Sequence, residues 1–220
     1  MLSLMSSVLE PLLESPRLPE YVQSLSQALA QERQRRDKFY EELTEEGKFE
    51  FINGQVVMHS PARHRHTLAV QNLSQLLSTH VRLRDLGHVL TDKALCVFPR
   101  NDYEPDICFF GKQKAAQLKP DTLKYPVPDL IVEVLSETTE QNDRGVKFED
   151  YAAHGVAEYW IVDPERETVE RYVLHEDRYP EARPQRTGEI TSDVVAGFSV
   201  AVRAIFDPRA NLEALRRLLA

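Results

Sequence analysis

The run Leu130-Ile131-Val132-Glu133-Val134-Leu135 restricts the fold more than any other part of the chain. Branched apolar side chains in near-continuous succession read as a strand covered on both faces, as at the centre of an α/β sheet. A glutamate inside such a strand is costly unless something offsets its charge. Upstream, Asp106 stands between Pro105 and a second apolar run, Ile107-Cys108-Phe109-Phe110. Two carboxylates on neighbouring strands make sense if one cation holds both, which is how a Mg²⁺ site is built. Asp106 and Glu133 are therefore candidate metal ligands, and the chain is a candidate metal-dependent hydrolase.

At 220 residues the sequence has room for one domain with a proper core and an appendage. Hydrophobic content of 42% and charged content of 28% suit a soluble globular protein. No apolar run approaches the roughly 20 residues that span a bilayer. Met1 to Leu9 lacks a basic start and is broken by Glu10 and Pro11, so no signal peptide is expected. Cys96 and Cys108 lie in apolar runs and read as small core residues, without partners for a zinc site. The expected setting is cytoplasmic and reducing. A net charge of −8 argues against bulk attraction to nucleic acid, though not against a local basic face. The basic runs Arg33–Lys38 and Arg63-His64-Arg65-His66 read first as solvated faces.

Three prolines (Pro11, Pro16, Pro19) predict a loosely ordered start over 1–18. Tyr21, Leu25 and Leu29 recur at helical spacing, predicting a helix from Glu20 to about Glu46, ended by Gly47 and packed on the main domain or on a partner subunit. Phe49 to Val57 reads as a hairpin around Asn53-Gly54. A helix is expected over 64–85, strands at 89–90, 94–98 and 106–110, and a polar connection over 111–127. After the Glu133 strand, a helix is predicted over 138–154, capped by Gly155. A central strand follows at 158–163, then a partner at 168–174, a final hairpin near 189–203 and a short helix over 211–219. This order gives an α/β or α+β class around one mixed sheet. The expected division is an N-terminal helical extension over 1–46, a main domain over 47–208 and a C-terminal helix over 209–220.

A hydrolase using such an ion gains from a cation near the attacking water. Lys147 can serve, because a helix following a buried strand packs back across the sheet. On its own, Lys147 reads as a surface lysine on an amphipathic helix.

Several spaced motifs then coincide: Phe49-Glu50-Phe51-Ile52-Asn53-Gly54, Ser60-Pro61 with His66, Pro105-Asp106, Pro128 to Ser136, Asp143-Arg144-Gly145-Val146-Lys147, Tyr151, and Gly155 to Pro164. Together, over about residues 40–205, they resemble the Uma-type putative endonuclease family, a branch of the PD-(D/E)XK restriction-endonuclease-like superfamily. The resemblance implies a central mixed β-sheet flanked by helices and a Mg²⁺-dependent phosphodiesterase-type site, with Mn²⁺ as a substitute. It implies Asp106 and Glu133 as ligands. Where the superfamily has lysine, this chain has Leu135, and Lys147 is the implied replacement. Glu50 matches an acidic residue that completes the metal shell or orients water, and His66 a histidine that contacts a phosphate or a carboxylate. The chain departs from the pattern at Ser136-Glu137-Thr138-Thr139, where Glu137, with Glu140, adds negative charge beside a prospective phosphate path.

Plainer readings stand beside these. Glu50 also reads as a solvent-facing strand residue, His66 as a helix-start surface residue, and Trp160, Tyr159, Phe109 and Phe110 as core. Asp129 reads as a cap or ion-pair partner, Asp163 as a turn, and Asp143 and Arg144 as supports for the Lys147 helix. The expected function is a Mg²⁺-dependent DNA endonuclease acting as a homodimer, with no membrane role. The alternative is a catalytically silent nuclease-fold protein that binds nucleic acid or assembles other proteins. A phosphodiesterase acting on RNA or nucleotides is a third class.

Overall fold

The computed structural model describes residues 9–44 and 47–220. Order over 1–8 lies outside them, and the helix expected to run to about Glu46 ends at Glu42, where Leu43 turns extended. Residues 9–13 are helical rather than loose. Helix α1 (Leu18–Glu42) then follows. Its docking differs from the expectation. Val22, Leu25 and Leu29 are exposed, and it is Glu32 and Phe39 that are buried, farther along the same side. Polar anchors fix that half: Arg36 makes two bonds to the buried Asp102 (2.5 and 2.7 Å) and donates to the carbonyls of Phe98, Pro99 and Asn101.

The hairpin forms as β1 (Phe49–Ile52) and β2 (Gln55–Met58), with Asn53 and Gly54 both at positive φ in its turn. Helix α2 (His64–Leu83) leads to β3 (Gly87–Thr91), β4 (Leu95–Val97), β5 (Asp102–Tyr103) and β6 (Ile107–Gly111). The 111–127 connection holds a short helix, α3 (Lys112–Ala115), and a short strand, β7 (Lys124–Tyr125). Strand β8 (Leu130–Val134) reaches β9 (Glu158–Asp163) through α4 (Glu140–Asp143) and α5 (Val146–Ala153). Strand β10 (Thr168–Val173), the ribbon β11 (Glu189–Thr191) and β12 (Ser199–Ala201), and helices α6 (Arg203–Phe206) and α7 (Pro208–Leu219) complete the chain.

Two expectations are corrected. Among the described residues, the strands form two five-stranded mixed sheets, ordered β2-β1-β5-β4-β7 and β10-β9-β8-β6-β3, and a separate β11-β12 ribbon, rather than one sheet. The chain crosses between them where a long antiparallel pairing bends. Asp92 and Lys93 take positive φ on one side, and Pro105, which has no N–H for a ladder, lies opposite. The helix predicted over 138–154 is also two pieces. Gly145 sits between them at φ −112°, ψ −106°, and a Cβ there would lie 2.6 Å from the Gln141 carbonyl.

Period-two alternation along β8 decides what each residue faces. Leu130, Val132 and Val134 join α2, Trp160, Val162 and the C-terminal elements in one core. Ile131 and Leu135 join Cys96, Cys108, Phe110, Tyr151 and Tyr159 in the other. Glu133 shares the second face, pointing at α5 from within an apolar layer. Among the described residues, no helix is long and apolar enough to cross a membrane.

Candidate active site

Asp106 and Glu133 become neighbours through strand register. Ile107 pairs with Val132 in the antiparallel β6–β8 ladder, so the next position sets Asp106 opposite Glu133. Asp106 Oδ2 accepts from the Val134 N–H (2.8 Å), and the Asp106 N–H stands 3.4 Å from Glu133 Oε2. Both side chains line a cleft of about 620 Å³ whose rim carries Arg63, Arg65 and Arg166.

Helix α5 supplies the opposing charge. Lys147 and Tyr151 lie four residues apart, hence on one face, and Asp143 precedes Lys147 by the same spacing. Lys147 Nζ is 3.0 Å from Glu133 Oε1, 3.0 Å from Glu50 Oε1 and 3.2 Å from Asp143 Oδ1. The Tyr151 hydroxyl donates to Glu133 Oε1 at 2.8 Å. Lys147 is 1% exposed, so it is no surface lysine.

Glu50 is fully buried, and its oxygens are taken by Lys147 and the Glu104 N–H on one side and by His59 Nε2 (2.9 Å) on the other. It stands behind Lys147 rather than on the cleft wall. His66 does line the cleft, with Nε2 3.2 Å from Asp106 Oδ2 and Nδ1 buried without a hydrogen-bond partner among the described residues. The negative charge expected at Glu137 and Glu140 is matched: Arg63 pairs with Glu137 at 2.9 Å and Arg144 with Glu140 at 3.0 Å.

Sequence reasoning missed Lys48 and His59 and gave Tyr151 no role. Lys48 Nζ is 2.8 Å from Asp106 Oδ1. The signal was available in the Asn53-Gly54 turn, which sets Glu50 opposite Val57. Two residues further out, the His59 N–H donates to the Lys48 carbonyl. Lys48, Glu50 and His59 therefore share one hairpin face.

Crowded carboxylates around few cations produce opposed shifts. Burial pushes the Glu133 carboxyl up to about 8, with Asp143 and Asp106 adding repulsion that Lys147 only partly offsets. Burial also raises Glu50, but Lys147 and His59 overcome this and bring it down to about 2. Asp106 is likewise held low against burial by Lys48 and His66, while Asp143 is raised by burial. Lys147 stays protonated: its burial is outweighed by Glu133, Glu50 and Asp143. Asp106 raises His66 against the effect of its burial.

The donor set fits a hard divalent cation. Four buried carboxylates (Glu50, Asp106, Glu133, Asp143) face two ammonium groups, Lys48 and Lys147. Among the described residues, Glu133 Oε2 has only a long backbone contact. One or two carboxylates plus water and substrate oxygens are what Mg²⁺ takes. Among the described residues, no three acidic, histidine or cysteine groups form a ready cage, because ammonium groups stand between the carboxylates.

The core readings hold for Trp160, Tyr159, Phe109 and Phe110, each at most 2% exposed. Asp129 accepts from the Gly111 N–H and pairs with Lys114, and Asp163 accepts from the Glu165 and Arg166 N–H groups. Cys96 and Cys108 are buried free thiols.

A family model described as Uma2, a putative restriction endonuclease, matches residues 36–203. Among solved structures, a putative nuclease belonging to DUF820 from Anabaena variabilis ATCC 29413 superposes with a TM-score of 0.67 at 17% identity. The match covers 77% of this chain and 96% of that one. At that identity the likeness speaks for the fold. No protein of curated function matches the sequence significantly.

Proposed function

This chain belongs to the Uma2 family of putative restriction endonucleases, and from that premise we propose that it is a Mg²⁺-dependent endonuclease hydrolysing DNA phosphodiester bonds. The observation that carries the reading is the cross-strand pair Asp106 and Glu133 on a cleft wall, with the Lys147 ammonium 3.0 Å from Glu133. Asp106 and Glu133 would hold the ion, Mg²⁺ or Mn²⁺. Bound there, it supplies an activated water and charge stabilisation at the phosphate.

The protein's own groups then have separable tasks. Val134 N–H and His66 orient Asp106, while Tyr151 and Lys147 orient Glu133. Glu50 acts by fixing Lys147, and Lys147 keeps a positive charge beside the developing phosphorane, where preorganised charge counts most. Arg63 and Arg65 at the mouth can exchange exposed glutamate partners for backbone phosphates, a local basic rim on an acidic protein. Pairing of two copies belongs to the same reading, since two sites suit double-strand cleavage. The 3–4 spacing of the exposed Val22, Leu25 and Leu29 is that of a two-helix seam.

The test is plasmid cleavage in Mg²⁺ by the wild type, Asp106→Ala and Glu133→Ala. Loss in both variants is expected, and full activity in either would sink the proposal. A silent nuclease-fold protein is the second reading, favoured by the ammonium of Lys48 resting on Asp106. Absence of Mn²⁺ binding at millimolar concentration, read by calorimetry, would support it instead.

A further inference from the structure

The two lysines of the cleft are held in different ways, and we propose that Lys48 is an exchangeable counter-ion. It neutralises Asp106 until a divalent cation arrives, then transfers to a phosphate oxygen of the substrate. The inference rests on the nuclease reading above and deepens it.

Lys147 cannot play this part. Three carboxylates lie within 3.2 Å of its ammonium and its side chain is 2% exposed, so leaving any one strands a buried charge. Lys48 has the opposite situation. Among the described residues, Asp106 is the one carboxylate it reaches within ion-pair distance, and a fifth of its side chain is open to the cleft. It precedes the regular part of β1 and follows Gly47, whose φ of +92° turns the chain into the hairpin. A strongly hydrated ammonium on four flexible carbons can move to a new anion without moving backbone.

Asp106 can also spare it. Its Oδ2 keeps the Val134 N–H and His66, so the carboxylate stays in position when Oδ1 is vacated. A divalent ion on Oδ1 would meet an ammonium whose nitrogen stands 2.8 Å from that oxygen. Like charges at such separations in a partly buried site repel strongly, so both cannot remain. The displaced ammonium is left facing the cleft, where a phosphodiester oxygen is the anion a DNA substrate brings. Metal and substrate thus favour each other through one side chain, a reciprocal coupling.

The test is calorimetry with Mn²⁺ on the full chain, as wild type, Lys48→Met, Lys48→Arg and Asp106→Asn. Lys48→Met should bind Mn²⁺ roughly tenfold tighter, the scale on which groups around metal ligands tune affinity, and Lys48→Arg should resemble the wild type. Affinity unchanged in Lys48→Met, with binding still lost in Asp106→Asn, overturns the counter-ion role and leaves the nuclease reading standing. No Mn²⁺ binding by either wild type or Lys48→Met removes both. If Lys48→Met does not fold, amine acetylation of the wild type read by mass spectrometry decides. Lys48 should become more reactive in saturating Mn²⁺ while Lys147 stays protected, and unchanged Lys48 labelling overturns the proposal.

Discussion

Replacing Glu133 by glutamine in the metal-free protein should make it less sensitive to alkaline pH. Burial and the neighbouring carboxylates push the Glu133 carboxyl from its ordinary 4.5 to about 8. Between those values the folded chain holds a proton that the unfolded chain has released, so stability falls as pH rises through the window. The gap corresponds to roughly 4 kcal/mol lost by pH 8. Against a total of about 5–15 kcal/mol this is large, and for a chain of this size it lowers the melting temperature by on the order of 10 °C. Glutamine keeps an oxygen to accept from Lys147 and Tyr151 but has no proton to lose. The assay is circular dichroism melting in EDTA at pH 5, 6, 7 and 8 for wild type and Glu133→Gln. The difference in melting temperature should widen in favour of the variant as pH rises. Parallel curves would refute the claim that Glu133 is the carboxyl pushed up by this site. Asp143, also raised, and His66 tilt both proteins the same way, which is why the difference is read. Glu50 and Asp106, held low, lose their contributions only below the window.

The same titration makes metal affinity rise between pH 6 and 8, with release of about one proton per ion, seen as a buffer-dependent calorimetric enthalpy. Lys147→Met should cost about 3–5 kcal/mol in urea denaturation, because it leaves the buried, ionised Glu50 carboxylate without its lysine; a loss below about 1 kcal/mol would show that this charge is balanced elsewhere. Arg36→Ala should destabilise by about 3 kcal/mol, since among the described residues buried Asp102 then keeps only the Tyr40 hydroxyl as a side-chain partner. Equilibrium sedimentation should give a dimer for the full chain and a monomer for Leu25→Glu, and a monomeric wild type would remove the pairing through α1.

Alternation and punctuation made much of this protein legible. The β-branched run identified β8 as a buried strand, Asn53-Gly54 fixed a hairpin, and Gly155 bounded its helix. Asp106 and Glu133 stood out because carboxylates in apolar strands need a reason. Local pattern could not report where one sheet yields to the next, since that bend depends on Asp92, Lys93 and Pro105 meeting across a ladder. Nor could it separate the two halves of α1: the apolar residues that look made for packing are exposed, while Glu32 and Arg36 carry the docking.

The site divides along the same line. By itself the sequence determined which carboxylates are expensive and that a lysine on the following helix could answer them. Only the tertiary structure decided that Lys147 is shared among three carboxylates, that Glu50 stands behind it, and that Lys48 caps Asp106. Apart from the Asp143–Lys147 pair, four positions apart, those are contacts between residues 14 to 97 positions apart, made by register and sheet curvature rather than by anything periodic along the chain.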